Sequence, residues 1–362
     1  MKNNRICFFS GGIHRSGGTE RVLIIIANEL VKIGYDVTIL SFWNHGQPTF
    51  SINPNIKIKY LLNPKTEGKL FRTKVYPIIK LHNFIKRGNY DFFIDVDTIL
   101  ANYTNYAIKK TKSKWISWEH FNYYFMINDK SRIKAKKLVM KNANKLIVLT
   151  DEDRNLHLEK MDFPKDKIIR IYNPANKIIE NNYKFDNKIF FSAGNLIKIK
   201  GYDLLLEAWK KFEQTNKEWQ LIIAGEGNIK EELNKYIYDN NLKNVRLIGR
   251  VNNIEEYYIK SSCYILSSRS EGYPMVIIEA SSFGLPIISF DCHTGPKEMI
   301  KENGYLVEQN NIESLYNTMI RFTENIKNAK RMSEKSIEFA KNIRIEKIIL
   351  EWDNLLKKES TK

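Results

Sequence analysis

The fold class of this 362-residue chain is decided by residues 261–300, which read SSCYILSSRSEGYPMVIIEASSFGLPIISFDCHTGPKEMI. Cys263–Ser267 is a short apolar run of the kind that forms a buried parallel strand. Arg269–Pro274 interrupts the run with glycine and proline and predicts a loop. Met275–Phe283 follows at helical spacing until glycine and proline end it, and Ile287–Phe290 predicts the next strand. This order of elements is typical of an α/β fold with a parallel sheet.

Two carboxylates accompany that loop and helix, Glu271 and Glu279. A helix that begins just after a parallel strand offers its first N–H groups and the positive end of its dipole, so a diphosphate can bind there without a metal. The Glu279 carboxylate can accept hydrogen bonds from both ribose hydroxyls, and Glu271 on the loop would then contact the sugar. The pattern predicts a nucleotide-sugar site. The alternative is that both are solvated surface acids.

The spacing of the two glutamates in SRSEGYPMVIIEASSFGLPIIS, residues 268–289, resembles the donor-site signature of the family 4 retaining glycosyltransferases. The resemblance implies the α/β fold of the GT-B type, in which two Rossmann-like domains face a central cleft and a C-terminal helix crosses back to the first domain. A polar stretch at 176–187 predicts the boundary. We therefore expect an acceptor-binding domain at 1–176, a nucleotide-sugar domain at 187–343 and a crossing helix at 344–362.

The same resemblance extends to GNLIKIKG, residues 194–201, where the family has Gly-Arg-Leu-x-x-x-Lys-Gly. Lys200 is kept, but Asn195 stands at the position of the arginine that helps to hold the diphosphate. A close charge pair at surface-like dielectric is worth about 4 kcal/mol before desolvation, so Lys200 must carry the local charge. The full prediction for donor binding is Asn195, Lys200, Gly225, Arg250, Val251, Glu271, Gly272, Tyr273, Pro274, Met275, Val276 and Glu279.

The chain begins with a predicted strand at Arg5–Ser10, a glycine-rich loop, a helix at Val22–Val31 and a strand at Asp36–Phe42. This is a Rossmann-like start. The loop does not have the GxGxxG sequence and the second strand ends without an acid, so NAD is not expected. The loop resembles the family's GGxER segment, which implies cleft or acceptor-side roles for Gly17, Gly18, Thr19, Glu20 and Arg21. The alternative is an ordinary turn that needs glycine.

His120 follows the predicted strand Trp115–Trp118, at the edge where open α/β sheets bind ligands. The position resembles the family's cleft histidine, which contacts the donor sugar. A lone histidine is otherwise more often structural. The resemblance thus implies Glu271, His120 and Lys200 as the catalytic group.

The net charge of +17 lies almost wholly in the first half, because residues 1–175 hold 30 Lys/Arg against 15 Asp/Glu and the remainder holds 28 against 26. Such a half should meet an anionic partner. No nucleic-acid motif accompanies the charge, so nucleic acid is not expected. Residues 65–87 and 109–145 combine basic and apolar side chains, which favours an anionic membrane surface. Solubility alone, or helices with a solvated lysine face, are the alternatives.

Cysteine usage and hydropathy bear on the compartment. Cys7, Cys263 and Cys292 are scattered without metal or disulfide spacing, which is typical of reduced thiols. The N-terminus lacks a signal-peptide core and no apolar run is long enough to span a bilayer. We therefore expect a cytoplasmic protein that is peripheral to the inner membrane.

Taken together, these features predict a retaining, metal-independent glycosyltransferase of bacterial cell-surface polysaccharide synthesis. It would need no cofactor. It would transfer the sugar of a nucleotide-sugar, expected to be a UDP-sugar, to a hydroxyl of a saccharide, either linked to polyprenyl diphosphate or free of lipid. Two other functions fit the sequence: a GDP-mannose-dependent mannosyltransferase, and a non-catalytic module that docks on polyanions or membranes.

Overall fold

The computed structural model describes residues 4–64, 75–180 and 183–361, and within them the chain divides into two compact units. The first unit comprises residues 1–173 and 345–362, and the second comprises residues 174–344. The chain therefore passes from one unit to the other between Asn173 and Pro174 and returns between Arg344 and Ile345. Each unit has its own parallel sheet.

The first sheet contains seven parallel strands among the described residues, in the order β3-β2-β1-β4-β5-β6-β7. Its strands are β1 (Arg5–Ser10), β2 (Asp36–Trp43), β3 (Lys57–Leu62), β4 (Phe92–Val96), β5 (Lys114–Trp118), β6 (Lys145–Val148) and β7 (Ile168–Arg170). Its helices are α1 (Gly18–Lys32), α2 (Val75–Gly88), α3 (Ala101–Ala107), α4 (Lys130–Asn142) and α5 (Asp151–Met161). Because β1 pairs with both β2 and β4, the strand order reverses there and opens a crevice at the carboxyl ends of these strands.

The second sheet has six parallel strands within the described part of the chain, in the order β10-β9-β8-β11-β12-β13. They are β8 (Ile189–Ala193), β9 (Gln220–Ala224), β10 (Val245–Gly249), β11 (Cys263–Leu266), β12 (Ile287–Phe290) and β13 (Gly304–Val307). The helices of this unit are α6 (Tyr202–Thr215), α7 (Lys230–Asp239), α8 (Glu255–Lys260), α9 (Met275–Ser282), α10 (Gly295–Met299), α11 (Ile312–Thr323) and α12 (Ile326–Asn342). Here the order reverses between β8 and β11, so the loops that follow these two strands flank the crevice.

The last helix, α13 (Ile345–Ser360), belongs to the first unit, as predicted for the crossing helix. Its Trp352 side chain is fully buried. The indole lies 6.1 Å from the ring of Phe8 on β1 and 4.8 Å from that of Trp118 on β5. These contacts, and those of α13 with α1, make the C-terminal helix part of the core of the N-terminal sheet.

Two elements end where a side chain caps the following helix. Strand β6 ends at Val148, and the Thr150 hydroxyl then accepts the N–H of Asp153 at 2.9 Å and begins α5. Helix α11 ends at Thr323, and Asn325 then caps α12.

The predicted basic stretch 65–87 is described only from residue 75 onward. There it forms α2, and Pro77 lies in the first turn of that described helix, where a missing N–H costs little. Residues 65–74 lie outside the described part. No helix among the described residues is both long and apolar enough to cross a bilayer.

Candidate active site

The loops after β8 and β11 are packed backbone against backbone. Gly201 has φ +66°, and a Cβ at this position would lie 1.9 Å from the carbonyl oxygen of Ser267. Gly225, after β9, has φ +152°, and its Cβ would lie 1.9 Å from the carbonyl oxygen of Gly194. Glycine is thus required at these points by space as well as by conformation. The close approach brings the loops of three strands to one edge of the sheet.

Lys200 and Glu271 meet across these loops. The Lys200 Nζ donates to Glu271 Oε1 at 2.7 Å, and the Ser268 hydroxyl donates to the same oxygen at 2.6 Å. The Glu271 side chain is 9 % exposed and the Lys200 side chain 27 %, so the pair is shielded but reachable from solvent. The Ser267 hydroxyl donates to the Lys200 carbonyl at 3.0 Å, which fixes the backbone that carries the lysine. The two residues predicted for the diphosphate and the sugar are therefore adjacent.

A second ion pair, which the sequence analysis did not identify, fixes the same loops. The Arg269 guanidinium donates to both carboxylate oxygens of Asp203 at 2.8 and 2.7 Å, and it also donates to the Lys198 carbonyl at 2.7 Å. Burial alone would raise the pKa of Asp203, but hydrogen bonds from Arg269 and Lys198 lower that pKa to about 2. Arg269 and Lys198 thus bind Asp203, whereas Lys200 binds the predicted donor residue Glu271.

Glu279 lies in the second turn of α9, where its Oε2 accepts the Tyr258 hydroxyl at 2.9 Å. Tyr258 is buried and stacks on Phe283 with ring centroids 5.4 Å apart. The tyrosine therefore holds the carboxylate in one orientation. A carboxylate has about four acceptor sites, and binding of the two hydroxyls of a ribose uses this capacity.

The start of α9 is preceded by Pro274, whose side chain makes no capping hydrogen bond. The preceding loop is held by Thr294, whose hydroxyl donates to the Gly272 carbonyl at 3.1 Å. A Cβ on Gly295 would lie 2.3 Å from that same carbonyl oxygen. The tight packing places Tyr273 in a buried position and presents the first turn of α9, with Met275 and Val276 half-buried. The other predicted donor residues are the exposed Asn195 and Arg250 and the half-buried Val251.

In the first unit, His120 follows β5 and is buried against Trp118, with ring centroids 4.3 Å apart. Its Nε2 has no hydrogen-bond partner within the described ranges of the chain. Burial lowers the pKa of His120 to about 3, so the imidazole is neutral at physiological pH. A neutral imidazole with a buried, unpaired nitrogen is suited to a polar ligand group rather than to a charge.

The backbone around His120 is fixed by a charged cluster that the sequence analysis also missed. Glu119 Oε1 accepts the N–H groups of His120 and Phe121, each at 3.1 Å. Arg132 on α4 binds both oxygens of Asp97 at 2.9 and 3.1 Å and lies 3.5 Å from Glu119 Oε2. Burial and then the Glu119 charge raise the pKa of Asp97 to about 6. Residue spacing could not reveal the cluster, because its members come from β4, β5 and α4.

The predicted acceptor-side segment, Gly17 to Arg21, forms the start of α1. Glu20 in its first turn is buried, and this burial raises the pKa of the carboxyl group. A Cβ on Gly17 would lie 2.7 Å from Glu20 Oε2, so glycine gives this carboxylate its room. Gly18, Thr19 and Arg21 complete the turn, and the Arg21 N–H donates to the Gly17 carbonyl.

In the described ranges, no group of three or more His, Cys, Asp or Glu side chains is arranged so that it could hold a metal ion. The chain does contain two Asp-x-Asp sequences, at 95–97 and 151–153. Asp95 accepts hydrogen bonds from Thr104 and Trp115, and Asp97 binds Arg132. Metal independence therefore stays a prediction from the family resemblance.

Two Rossmann-like units and a C-terminal helix returned to the first of them define the GT-B type of glycosyltransferase fold. The same architecture is found in the pneumococcal O-GlcNAc transferase GtfA, solved in complex with UDP and GlcNAc, which aligns over 100% of both chains with a TM-score of 0.86 at 14% identity. At that identity the likeness concerns the fold alone.

Sequence comparison gives the family. Residues 16–177 match glycosyltransferase family 4, and residues 175–339 match the glycosyl transferases group 1. The chain is 36% identical over 97% of its length to an uncharacterised glycosyltransferase of Haemophilus influenzae, of which it covers 99%. It therefore belongs to the family 4 type of glycosyltransferases, as the donor-site signature predicted.

Two further relatives carry names that state a pathway or an acceptor. The amylovoran biosynthesis glycosyltransferase AmsD of Erwinia amylovora is 27% identical, with 95% of this chain and 97% of the relative aligned. An alpha-1,4-N-acetyl-D-galactosaminyltransferase of Campylobacter jejuni, named for an acceptor on PP-undecaprenol, is 27% identical over 80% of each chain. The chain is thus a glycosyltransferase related to those of bacterial polysaccharide biosynthesis.

Proposed function

We propose that the protein transfers a sugar from a UDP-sugar to a hydroxyl of a saccharide on a lipid-linked diphosphate, with retained anomeric configuration and without a metal. The observation that carries this proposal is the shielded Lys200–Glu271 pair, held at 2.7 Å where the strand order of the second sheet reverses. Ligands of open α/β sheets bind at such points.

In this proposal the diphosphate of the donor binds at Lys200, Asn195 and the first N–H groups of α9. An ammonium has three donors, so Lys200 can hold Glu271 and a phosphate oxygen at the same time. Glu279 accepts the ribose hydroxyls and Glu271 accepts hydroxyls of the sugar. His120 is assigned to the sugar by the family resemblance.

Bond cleavage at the anomeric carbon places negative charge on the leaving diphosphate. The lysine and the helix N-terminus stabilise that charge, and the leaving group takes the proton of the acceptor hydroxyl as the new bond forms on the same face of the sugar. The protein contributes position and preorganised charge rather than a covalent intermediate.

The choice of UDP is supported by the complex of GtfA with UDP, and the choice of a lipid-linked acceptor by the name of the Campylobacter relative. The basic first half, with its excess of lysine, suits an acceptor at an anionic membrane surface. A GDP-mannose-dependent reaction is the second candidate, because the backbone near Val251 does not distinguish uracil from guanine.

The donor is tested by the thermal shift of the full chain with UDP, GDP, ADP and NAD. A ligand at one hundred times its Kd stabilises the protein by about 2.7 kcal/mol, which is a shift of several degrees for a domain of this size. We expect a shift with UDP and a smaller or absent shift with the other three.

Glu279→Ala should abolish the UDP shift. Glu338→Ala is the matched control, because this exposed glutamate of the same unit pairs only with the surface Lys335 among its described ion-pair partners. A shift with GDP alone would favour the mannosyltransferase. No shift with any nucleotide would contradict the enzyme and favour the docking module.

A further inference from the structure

A cleft of about 440 Å³ lies in the first unit, and none of its lining residues is assigned above to the donor or the acceptor. One of them, Arg132, also belongs to the charged cluster beside His120. It is bounded by the loop before α4, by α4 itself and by α5. Its lining consists of Tyr123, Met126, Ile127, Arg132, Ile133, Lys136, Lys137, Met140, Glu159, Lys160, Met161 and Asp162. The volume falls within the roughly 300–1,000 Å³ of small-molecule sites.

The mouth of the cleft exposes large apolar side chains. Met126 is 54%, Ile127 43% and Ile133 37% exposed, although they lie within eight residues of one another. Single exposed apolar residues are ordinary, but a contiguous group beside a cleft marks a binding surface. Met140 and Met161 line the cleft as well, and methionine adapts to irregular apolar ligands.

The charge around this apolar surface is positive. The thirteen residues of α4, KSRIKAKKLVMKN, contain five lysines and one arginine and no acid. The lining of the cleft holds four basic residues, Arg132, Lys136, Lys137 and Lys160, and two acidic ones, Glu159 and Asp162. The exposed Lys130, Lys134 and Lys141 add to the excess, so the surface attracts anions.

A lysine is also buried in the wall of the cleft. The Lys136 Nζ donates to the Tyr123 carbonyl at 2.7 Å and lies 4.7 Å from the centre of the Tyr123 ring. Burial lowers the pKa of this ammonium, while the Glu119 and Asp153 carboxylates raise it. Its aliphatic shaft therefore contributes apolar surface to the wall of the cleft, while the ammonium is held by the Tyr123 carbonyl.

We propose that this cleft binds a hydrocarbon chain of an anionic membrane lipid and so docks the first unit on the bilayer. The apolar side chains at the mouth enter the acyl region, and the lysines of α4 bind the anionic head groups. An anionic lipid fits best because the cleft is lined by apolar side chains and the lysines of α4 lie beside it. A neutral amphiphile would have no electrostatic attraction to these lysines. The inference rests on the proposed function, because docking on a bilayer brings the protein to an acceptor that is bound to the membrane.

The test is flotation of the full-length protein with vesicles of phosphatidylcholine, with and without phosphatidylglycerol. We expect the wild type to float with the mixed vesicles and to stay behind with pure phosphatidylcholine. Ile127→Ser and Ile133→Ser should each weaken binding about tenfold, as removal of one inserted isoleucine predicts. Lys137→Gln should weaken it about fivefold and make it less sensitive to salt.

Ile33→Ser is the matched control, because this isoleucine is 48% exposed at the end of α1, away from the cleft. Entry of the mouth of the cleft into the acyl region is read from Ile127→Trp, whose added fluorescence should be quenched by lipids brominated on the acyl chain. Ile33→Trp should not be quenched.

Three results would overturn the inference: equal flotation of wild type and the isoleucine variants, equal binding to neutral vesicles, or no flotation of the wild type. The UDP shift of the same variants separates this outcome from failure of the proposed function. A variant that no longer floats but is still stabilised by UDP has lost the lipid site alone.

Discussion

In the proposed reaction Lys200 meets two demands at the residue scale, because it neutralises charge on the donor while it is paired with Glu271. The neighbouring cations do not share this task, since Arg269 and Lys198 both bind Asp203. Asn195, at the position where the family has arginine, can donate hydrogen bonds but brings no charge. In the proposed reaction, electrostatic stabilisation of the leaving diphosphate therefore depends on Lys200 more than it depends on the matching lysine in relatives that keep the arginine.

We expect Lys200→Ala to lower turnover by about 10²- to 10³-fold, the effect of removing one donor from a site that stabilises developing charge. The measurement is the initial rate of UDP release with the acceptor present. Lys198→Ala, two residues earlier, is the control and should keep turnover within a few-fold, because Asp203 retains Arg269. Equal rates for Lys200→Ala and wild type would refute the assignment.

The residues of the candidate site differ in how far the sequence could reveal them. The loop and helix after a predicted strand indicate Glu271 and Glu279, and the family resemblance of residues 194–201 indicates Lys200. Arg269 lies in the same loop as Glu271, but its partner Asp203 is 66 residues away in the sequence. No local pattern predicts the ion pair between them. The same is true of Asp97 and Arg132, 35 residues apart, which meet only when α4 packs on the end of β4.

At the scale of elements, strands buried on both faces were the easiest to predict. Their continuous apolar runs, as in β1 and β11, appear in the sequence without help from neighbours. The edge strand β3, with the sequence KIKYLL, was missed because Lys57 and Lys59 interrupt the run and only its last two residues are buried. Charged residues at an edge are normal, since they discourage further pairing.

The short helix α3 was missed for a different reason. Its seven residues, ANYTNYA, have weak helix propensity and no capping residue of their own, and α3 is stabilised by its position between α2 and α4. Tertiary packing decides such an element. Periodicity in the sequence alone cannot predict it.

The turn that carries Lys200 depends on the conformation of Gly201. A Cβ there would meet the Ser267 carbonyl oxygen at 1.9 Å, and φ is +66°. We expect Gly201→Ala to lower the free energy of unfolding by more than about 1–3 kcal/mol, the usual range for one strained residue, because the backbone must move as well. Movement of this backbone displaces Lys200, so the UDP shift should also fall.

Gly34→Ala is the control for strain alone, because Gly34 has φ +99° but no atom lies within 4 Å of its added Cβ. Its unfolding free energy should fall by less than that of Gly201→Ala, with the UDP shift unchanged. Denaturant titration gives the first quantity and the thermal shift the second. If the two variants behaved alike, the close approach of Gly201 to the Ser267 carbonyl would have no energetic role.

At the scale of the whole molecule, the first unit is built from both ends of the chain. Residues 1–173 supply the strands and residues 345–362 return to cover them with α13. The second unit is continuous in sequence. The first unit therefore cannot be completed until the last helix has been made, whereas the second unit contains all of its own strands and helices by residue 344.

Trp352 on α13 is expected to stabilise the first unit more than the second, because it is fully buried and contacts Phe8 and Trp118 of the first sheet. Trp352→Ala should destabilise the first unit by about 3–5 kcal/mol, the cost of removing a large aromatic side chain from a core. Calorimetry of the full chain should show an earlier transition, and UDP should still raise the later one, because the predicted donor residues belong to the second unit and Trp352 to the first. Trp352→Phe should restore most of the loss. A single transition that moves as a whole would instead mean that the two units unfold together, and the returned helix would then stabilise the donor site as much as its own sheet.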